Sequence, residues 1–282
     1  MVLVGFAASV FAIIFICMTY QGGKGQIVGE FLPIIEGYLR EGQTFYDLFV
    51  GGGSVVGSLD WPDRVANDFN PVLVAMYRKM QEIVYFDDRT CEWVVPSGVF
   101  PAEVSKEDYY NALYWFKGLQ SEHPAECDDP AILGFYLFCC SYKVSFAAGY
   151  AGPEYQAKAF QSLVRDFTGR YHQGLRGVEF HTGSYDEVPL KPNSVIFCDP
   201  PYINTAGYGV SAKDERSMFN HDAFYEWCCA RTHEGRTVFL TEYTAPDCFE
   251  CLWQQIKLCN LAAVKGRGSR RYNVEHLYIC RG

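Results

Sequence analysis

A glycine-rich turn between two strand-like runs constrains this chain most. "TFYDLFV" (Thr44 to Val50) reads as a strand, "GGGSVVGSL" as a glycine turn entering a helix, and "RVANDFN" (Arg64 to Asn70) as a second strand ending on polar residues. "PVLVAMYRKMQEIV" then reads as a helix with Pro71 in its first turn, where the missing N–H costs little. Strand, glycine loop, helix, strand, helix is a βαβ pattern and implies a parallel sheet. The 282 residues suit one large α/β domain or a catalytic domain with a smaller insert, and an apolar content of 49% supplies a sizeable core.

The pattern then breaks. Ser105 with Asp108 resembles a capping box opening the helix "EDYYNALYWFKGLQ", and "DDPAILGFYLFCCSYKVSF" and "EYQAKAFQSLVRDFTGRY" also read as helical around the loop "AAGYAGP". These place a mainly helical insert at about Phe86 to Tyr171, with the catalytic part at 18–85 and 172–282. Sheet signals resume with "GVEFHTGSY" and "NSVIFCDPPY". A helix "HDAFYEWCCARTHEG" and a strand "RTVFLTEY" follow, and "NLAAVKGRGSRRYNVEHLYICRG" reads as two final strands around a basic loop.

The run Val195 to Cys198 ends on Asp199-Pro200-Pro201-Tyr202. A strand of an open α/β sheet carries its last acid to the carboxyl edge, where ligands bind. Two prolines fix the turn and leave carbonyls free to accept hydrogen bonds, and a Tyr ring beside them can stack on a planar base. A carboxylate and a carbonyl together can hold both hydrogens of an exocyclic –NH₂ and aim its lone pair at an electrophile. A plain strand-ending turn explains Asp or Pro alone, but not the set of four.

The glycine turn Asp47-Leu48-Phe49-Val50-Gly51-Gly52-Gly53 lets a ligand approach the backbone closely, and Asp68, ending the next strand, can bond ribose hydroxyls. The turn is not G-x-G-x-x-G, and no basic residue follows to hold a pyrophosphate. A nucleoside without phosphates, such as S-adenosylmethionine, fits better; a turn kept only for packing is the competing explanation. Gly22-Gly23-Lys24 by itself reads as a loop with a solvated lysine.

A net charge of −9 argues against non-specific coating of nucleic acid, although Lys257, Lys265, Arg267, Arg270, Arg271 and Arg281 make the C-terminal stretch locally basic. The twelve cysteines include two adjacent pairs and read as reduced, mostly buried residues of a cytoplasmic protein. Cys248 and Cys251 have no second pair or histidine nearby in sequence, so a structural zinc is the lesser reading and no metal is expected. Residues 1–17 are uncharged and apolar. A start assigned too far upstream is favoured over a membrane anchor or a buried helix.

The order GGK, D-x-F-x-G-x-G, insert, DPPY resembles that of the Dam-like (alpha group) DNA adenine-N6 methyltransferases over about Met18 to Gly282. The ending "RRYNVEHLYIC" is also similar to that family's closing basic loop and strand. The resemblance implies a Rossmann-like methyltransferase sheet, mostly parallel with an antiparallel last strand, and a small, mainly helical inserted target-recognition domain. It also implies methyl transfer from S-adenosylmethionine to a flipped-out adenine of DNA. Carried over, Tyr20, Gly22, Gly23 and Lys24 flank the methionine end of the cofactor, and Asp47, Phe49, Gly51 and Gly53 form its floor. Asp68 takes the ribose, and Ser184 and Tyr185 meet the adenine. Asp199, Pro200, Pro201 and Tyr202 form the catalytic tetrad, and Glu275 matches a recurring acid without an assigned role. Lys143, Arg267, Arg270 and Arg271 are candidate phosphate contacts. The sequence-reading hairpin of the family is abbreviated here to "KVSFAAGYAGPEYQAK". The same chemistry on cytosine N4 or RNA, and a catalytically idle relative, are the alternatives; oligomeric state is open, with a monomer favoured.

Overall fold

A computed structural model of the chain describes residues 23–90, 92–118, 129–142, 146–168, 174–203, 219–260 and 270–282; the side chains of 92, 257–260 and 270–273 are not among those described. The first βαβ unit forms as the glycine turn implies. β1 (Phe45–Asp47) leads through Gly51–Gly53 into the short α2 (Ser54–Ser58), which follows α1 (Val28–Glu36), and then into β2 (Arg64–Asp68) and α3 (Pro71–Ile83). Asn70 caps α3 by accepting from the Val72 N–H, with Pro71 in the first turn.

The main sheet adds β5 (Glu179–Thr182), β6 (Val195–Cys198), β7 (Thr237–Glu242), β8 (Phe249–Asn260) and β9 (Arg270–Cys280). Its seven strands lie in the order β5-β2-β1-β6-β7-β9-β8. The first five are mutually parallel. β9 is antiparallel to β7 and to β8, so the last strand alone runs against the rest, as expected. The chain steps outward from β1 to β2 and β5 on one side, and from β6 to β7 on the other. The β1/β6 boundary is therefore the switch point, where the carboxyl ends of the strands open a crevice. Both closing strands were expected after Asn260, whereas β8 starts at Phe249 and carries a register shift between Cys251 and Trp253.

Side-chain alternation divides the core. Phe45, Val195, Phe197 and Phe239 face α1, α2 and α3; Tyr46, Ile196, Cys198, Val238 and Leu240 face α7 (His221–His233). Between α3 and β5 lie a small hairpin, β3 (Tyr85–Asp87) with β4 (Glu92–Val94), and the helices α4 (Lys106–Phe116), α5 (Pro130–Cys139) and α6 (Pro153–Thr168). Ser105 caps α4 by accepting from the Asp108 N–H at 3.1 Å, as its spacing predicts. Leu133, Leu137 and Phe138 of α5 join the core that holds α3. α5 ends before the apolar run does, and Ser141 instead bridges to Tyr150. A methyl group on Gly134 would stand 2.2 Å from the Val72 carbonyl oxygen, so α5 crosses α3 at backbone contact.

Candidate active site

The carboxyl ends of β1, β2, β6 and β7 bring acids to one edge. β6 pairs with β7 through Cys198 and Leu240, which sets Asp199 beside Thr241. The Thr241 hydroxyl donates to Asp199 Oδ1 at 2.7 Å. Lys24, from the segment before α1, lies 2.7 Å from both carboxylate oxygens and is only 4% exposed, against 18% for Asp199. Burial pushes the Asp199 carboxyl above the usual carboxylate range, while Lys24 and Thr241 pull it back. The Lys24 ammonium also stands 4.8 Å over the centre of the Tyr202 ring. A cationic nitrogen carrying hydrogens is thus seated between this carboxylate and this aromatic face.

Tyr202 is held at its far end. Its hydroxyl donates to Glu275 Oε2 at 2.7 Å, and the Tyr243 ring meets it edge-on at 4.7 Å. His221, opening α7, donates from Nε2 to the Pro201 carbonyl at 2.8 Å, since a carbonyl can only accept. Glu242 is fully buried and accepts from the N–H groups of Ile203 and Tyr243. Burial raises its carboxyl to about 7.

The glycine loop forms the other wall. Gly53 has φ 72°, which favours glycine, and a Cβ there would meet the Leu175 side chain at 2.9 Å. Asp68 accepts from the Gly51 N–H at 3.0 Å and from the Asn70 N–H at 2.9 Å, and the Tyr77 hydroxyl donates to the Gly51 carbonyl at 2.7 Å. Asp47 is 2% exposed, and its Oδ1 has no hydrogen-bond partner. Burial, followed by the nearby Asp199 charge, pushes its carboxyl to about 8. A buried orphan oxygen costs stability unless a ligand satisfies it.

The structure therefore gathers Lys24, Asp199 and Tyr202 at the end of β6, with Asp47, Gly51, Gly53 and Asp68 at the ends of β1 and β2. Lys24 was expected beside the cofactor's methionine end, and its ammonium lies on the Asp199 carboxylate. Phe49 stacks on Tyr185 at 5.6 Å, and Phe219 and Phe224 close around them. Ser184 bonds locally, its N–H to Glu187 and its hydroxyl to Asp186. Gly23 precedes Lys24 directly, whereas Tyr20, Gly22, Lys143 and Arg267 lie outside the described residues, as do the side chains of Arg270 and Arg271.

Sequence reasoning missed Thr241, Glu242 and His221, gave Glu275 no role, and passed over Phe69. Phe69 directly follows Asp68 and is 79% exposed. An apolar ring left in water beside a site acid was the signal available for it. For Thr241 and Glu242 the signal was a polar pair closing the strand next to the tetrad.

Among the described residues no group of three or more His, Cys, Asp or Glu could hold a metal ion. No described helix is long and apolar enough to cross a membrane. The eight described free cysteines include Cys248, whose Sγ lies 3.3 Å from that of Cys229, and the exposed Cys251.

Comparison with known proteins gives the chain a family. The profile of the D12 class N6 adenine-specific DNA methyltransferases matches residues 20–263. The chain is 23% identical over 238 residues to the retron Ec67 DNA adenine methylase of Escherichia coli, covering 79% of this chain and 75% of that protein. It is 25% identical over 199 residues to a DNA adenine methylase of Salmonella typhi, covering 66% and 64%. It is 21% identical over 206 residues to the type II methyltransferase M.FokI of Planomicrobium okeanokoites, covering 67% of this chain but 29% of that much longer protein.

Proposed function

The chain belongs to the D12 class N6 adenine-specific DNA methyltransferase family, and on that premise we propose that it transfers a methyl group from S-adenosylmethionine to the exocyclic N6 amino group of an adenine flipped out of DNA. The observation that carries the reading is the pairing of a half-buried carboxylate, Asp199, with an N–H-bearing cation under the ring of Tyr202. That is the environment an adenine amino group needs at the moment it becomes positive.

The cofactor residues fit the proposal. Five carboxylates (Asp47, Asp68, Asp199, Glu242 and Glu275) converge with Lys24 on this edge, and Asp47 holds an unsatisfied oxygen. Such a donor-poor, acid-rich site suits a ligand that brings its own cationic centre and N–H groups. Bound there, S-adenosylmethionine would supply an electrophilic methyl group on a sulfonium. Asp47 and the Gly51–Gly53 turn would hold its amino acid end, Asp68 the ribose, and Phe69, Tyr185 and Phe49 the adenine side.

The chain's own residues do the rest. An adenine amino group is unreachable inside a duplex, so the base is extruded, and Tyr202 receives it face to face. Asp199 accepts one N–H and the Pro200 carbonyl the other, which localises the lone pair and aims it. Thr241 keeps Oδ1 oriented, and Oδ2, which Lys24 Nζ bonds at 2.7 Å in the ligand-free protein, takes the base N–H. Positive charge grows on the nitrogen as the bond forms, so Asp199 binds the transition state more tightly than the ground state. Asp199, already bonded to one N–H of the amino group, takes the surplus proton. Lys143, Arg267, Arg270 and Arg271 are proposed phosphate contacts, and the segment 86–171 the target-facing element. The reaction belongs in the cytoplasm, where the cofactor and DNA of a reduced compartment meet.

Incubation with methyl-labelled S-adenosylmethionine and mixed-sequence DNA, followed by nucleoside separation, tests the proposal. Label in N6-methyladenine is the expected result. Label in N4-methylcytosine, or none, rejects it.

A further inference from the structure

We propose that Glu275 is a positioning residue for the reaction: its carboxylate anchors the Tyr202 hydroxyl and so fixes the ring face that receives the target base. The inference rests on the functional reading above. The prolines before Tyr202 stiffen the backbone but leave its side-chain torsions free. A small turn about the first torsion would swing the ring out of register with Asp199. Lys24 and Tyr243 touch the ring body, but neither contact is directional enough to hold its tip, which Thr241 and Glu275 both reach. The bond to Glu275 Oε2 at 2.7 Å acts at the tip, where leverage over that torsion is greatest.

The reversed last strand supplies this anchor, beside the Thr241 side chain of β7, which also bonds Tyr202. The β7/β9 register pairs Glu242 with His276, which sets Glu275 just past the end of β7, beside the site. The β8 register pairs the same residue with Gln255. Glu275 is 5% exposed, and a carboxylate is an expensive group to bury. A neutral acceptor would also take the phenol's hydrogen, in a weaker bond. The charge therefore points to a second contribution, a field that favours the cation forming on the substrate nitrogen, added to that of Asp199.

The test is a double-mutant cycle read by single-turnover methylation and by cofactor affinity, with melting curves to verify folding. Glu275→Ala and Tyr202→Phe are each expected to slow the single-turnover rate by ~10- to 100-fold, with the S-adenosylmethionine Kd within about twofold of wild type. The double variant is expected to be no slower than the slower single, because both remove one contact. Glu275→Gln keeps an acceptor and loses the charge, so its rate should lie between wild type and Glu275→Ala; it also keeps the test readable should the alanine variant not fold. Multiplicative losses in the double variant, a full-rate Glu275→Ala enzyme, or a Kd that weakens in step with the rate would each overturn the inference alone. A wild-type protein that methylates no adenine overturns the functional reading and this inference with it.

Discussion

Lys24 Nζ lies 2.7 Å from both carboxylate oxygens of Asp199, across 175 residues of sequence. The pair joins the segment before α1 to the end of β6, and it governs when Asp199 is ionised. Burial and the Glu275 charge push the Asp199 carboxyl up, and Lys24 is the largest effect opposing them. Removing the ammonium therefore raises the pH at which Asp199 becomes a carboxylate. For Lys24→Gln, the acid limb of the kcat–pH profile is expected to move to higher pH, so that activity falls more at pH 6 than at pH 8. Stopped assays across pH measure this, and an unmoved limb would separate Lys24 from the ionisation of Asp199.

Asp47 makes a second pH prediction. Its ordinary value is 3.8, and burial holds it at about 8 in the ligand-free protein. A cationic ligand favours the ionised form, so between those values binding expels a proton and tightens as pH rises. The S-adenosylmethionine Kd should fall from pH 6 to pH 8, by at most about tenfold per pH unit. Because the raised value means that the folded state holds a proton the unfolded chain has lost, ligand-free stability should decline over the same window. In Asp47→Asn both slopes should flatten. Titration calorimetry and melting curves read them; a pH-independent wild-type Kd contradicts the assignment.

Asp68 pins the glycine loop through the Gly51 and Asn70 N–H groups. Truncating it removes both anchors and the proposed ribose contact. Asp68→Ala should weaken cofactor binding by ~10- to 100-fold while leaving kcat at saturating cofactor within a few-fold of wild type. An unchanged Kd would take Asp68 out of the cofactor site.

Gly134 tests the crossing of α5 on α3. Alanine ordinarily gains up to ~1 kcal/mol over glycine inside a helix. Here its methyl group would stand 2.2 Å from a backbone oxygen, and backbone cannot step aside as a flexible side chain can. Gly134→Ala should destabilise the protein by ~1–3 kcal/mol in denaturant unfolding. A neutral or stabilised variant would mean that the two helices can separate freely.

What was legible in the sequence was local. The glycine loop, the Pro71 helix, the Ser105 cap and the acid closing β6 are each written within a dozen residues, and all formed. The β3–β4 hairpin was not legible. Its strands are three residues each, in an acidic stretch; Phe86 packs across the pair on Trp93, and Arg176 holds the hairpin from a distance, over the Trp93 ring at 3.7 Å. The first residues of β8 were hidden because polar and apolar positions fall out of phase at the Cys251/Trp253 shift. Within the site, Asp199 and Tyr202 announced themselves. Thr241, His221 and Glu275 act on them through sheet register and helix placement, which no short spacing encodes.

The most direct measurement compares wild type with Asp199→Ala, combining nucleoside analysis of methylated DNA with cofactor binding on the same preparations. Wild type should form N6-methyladenine. The variant should lose at least ~10²- to 10³-fold of that rate while binding S-adenosylmethionine within a few-fold of wild type. An Asp199→Ala protein that methylates adenine at the wild-type rate would contradict the account at its centre.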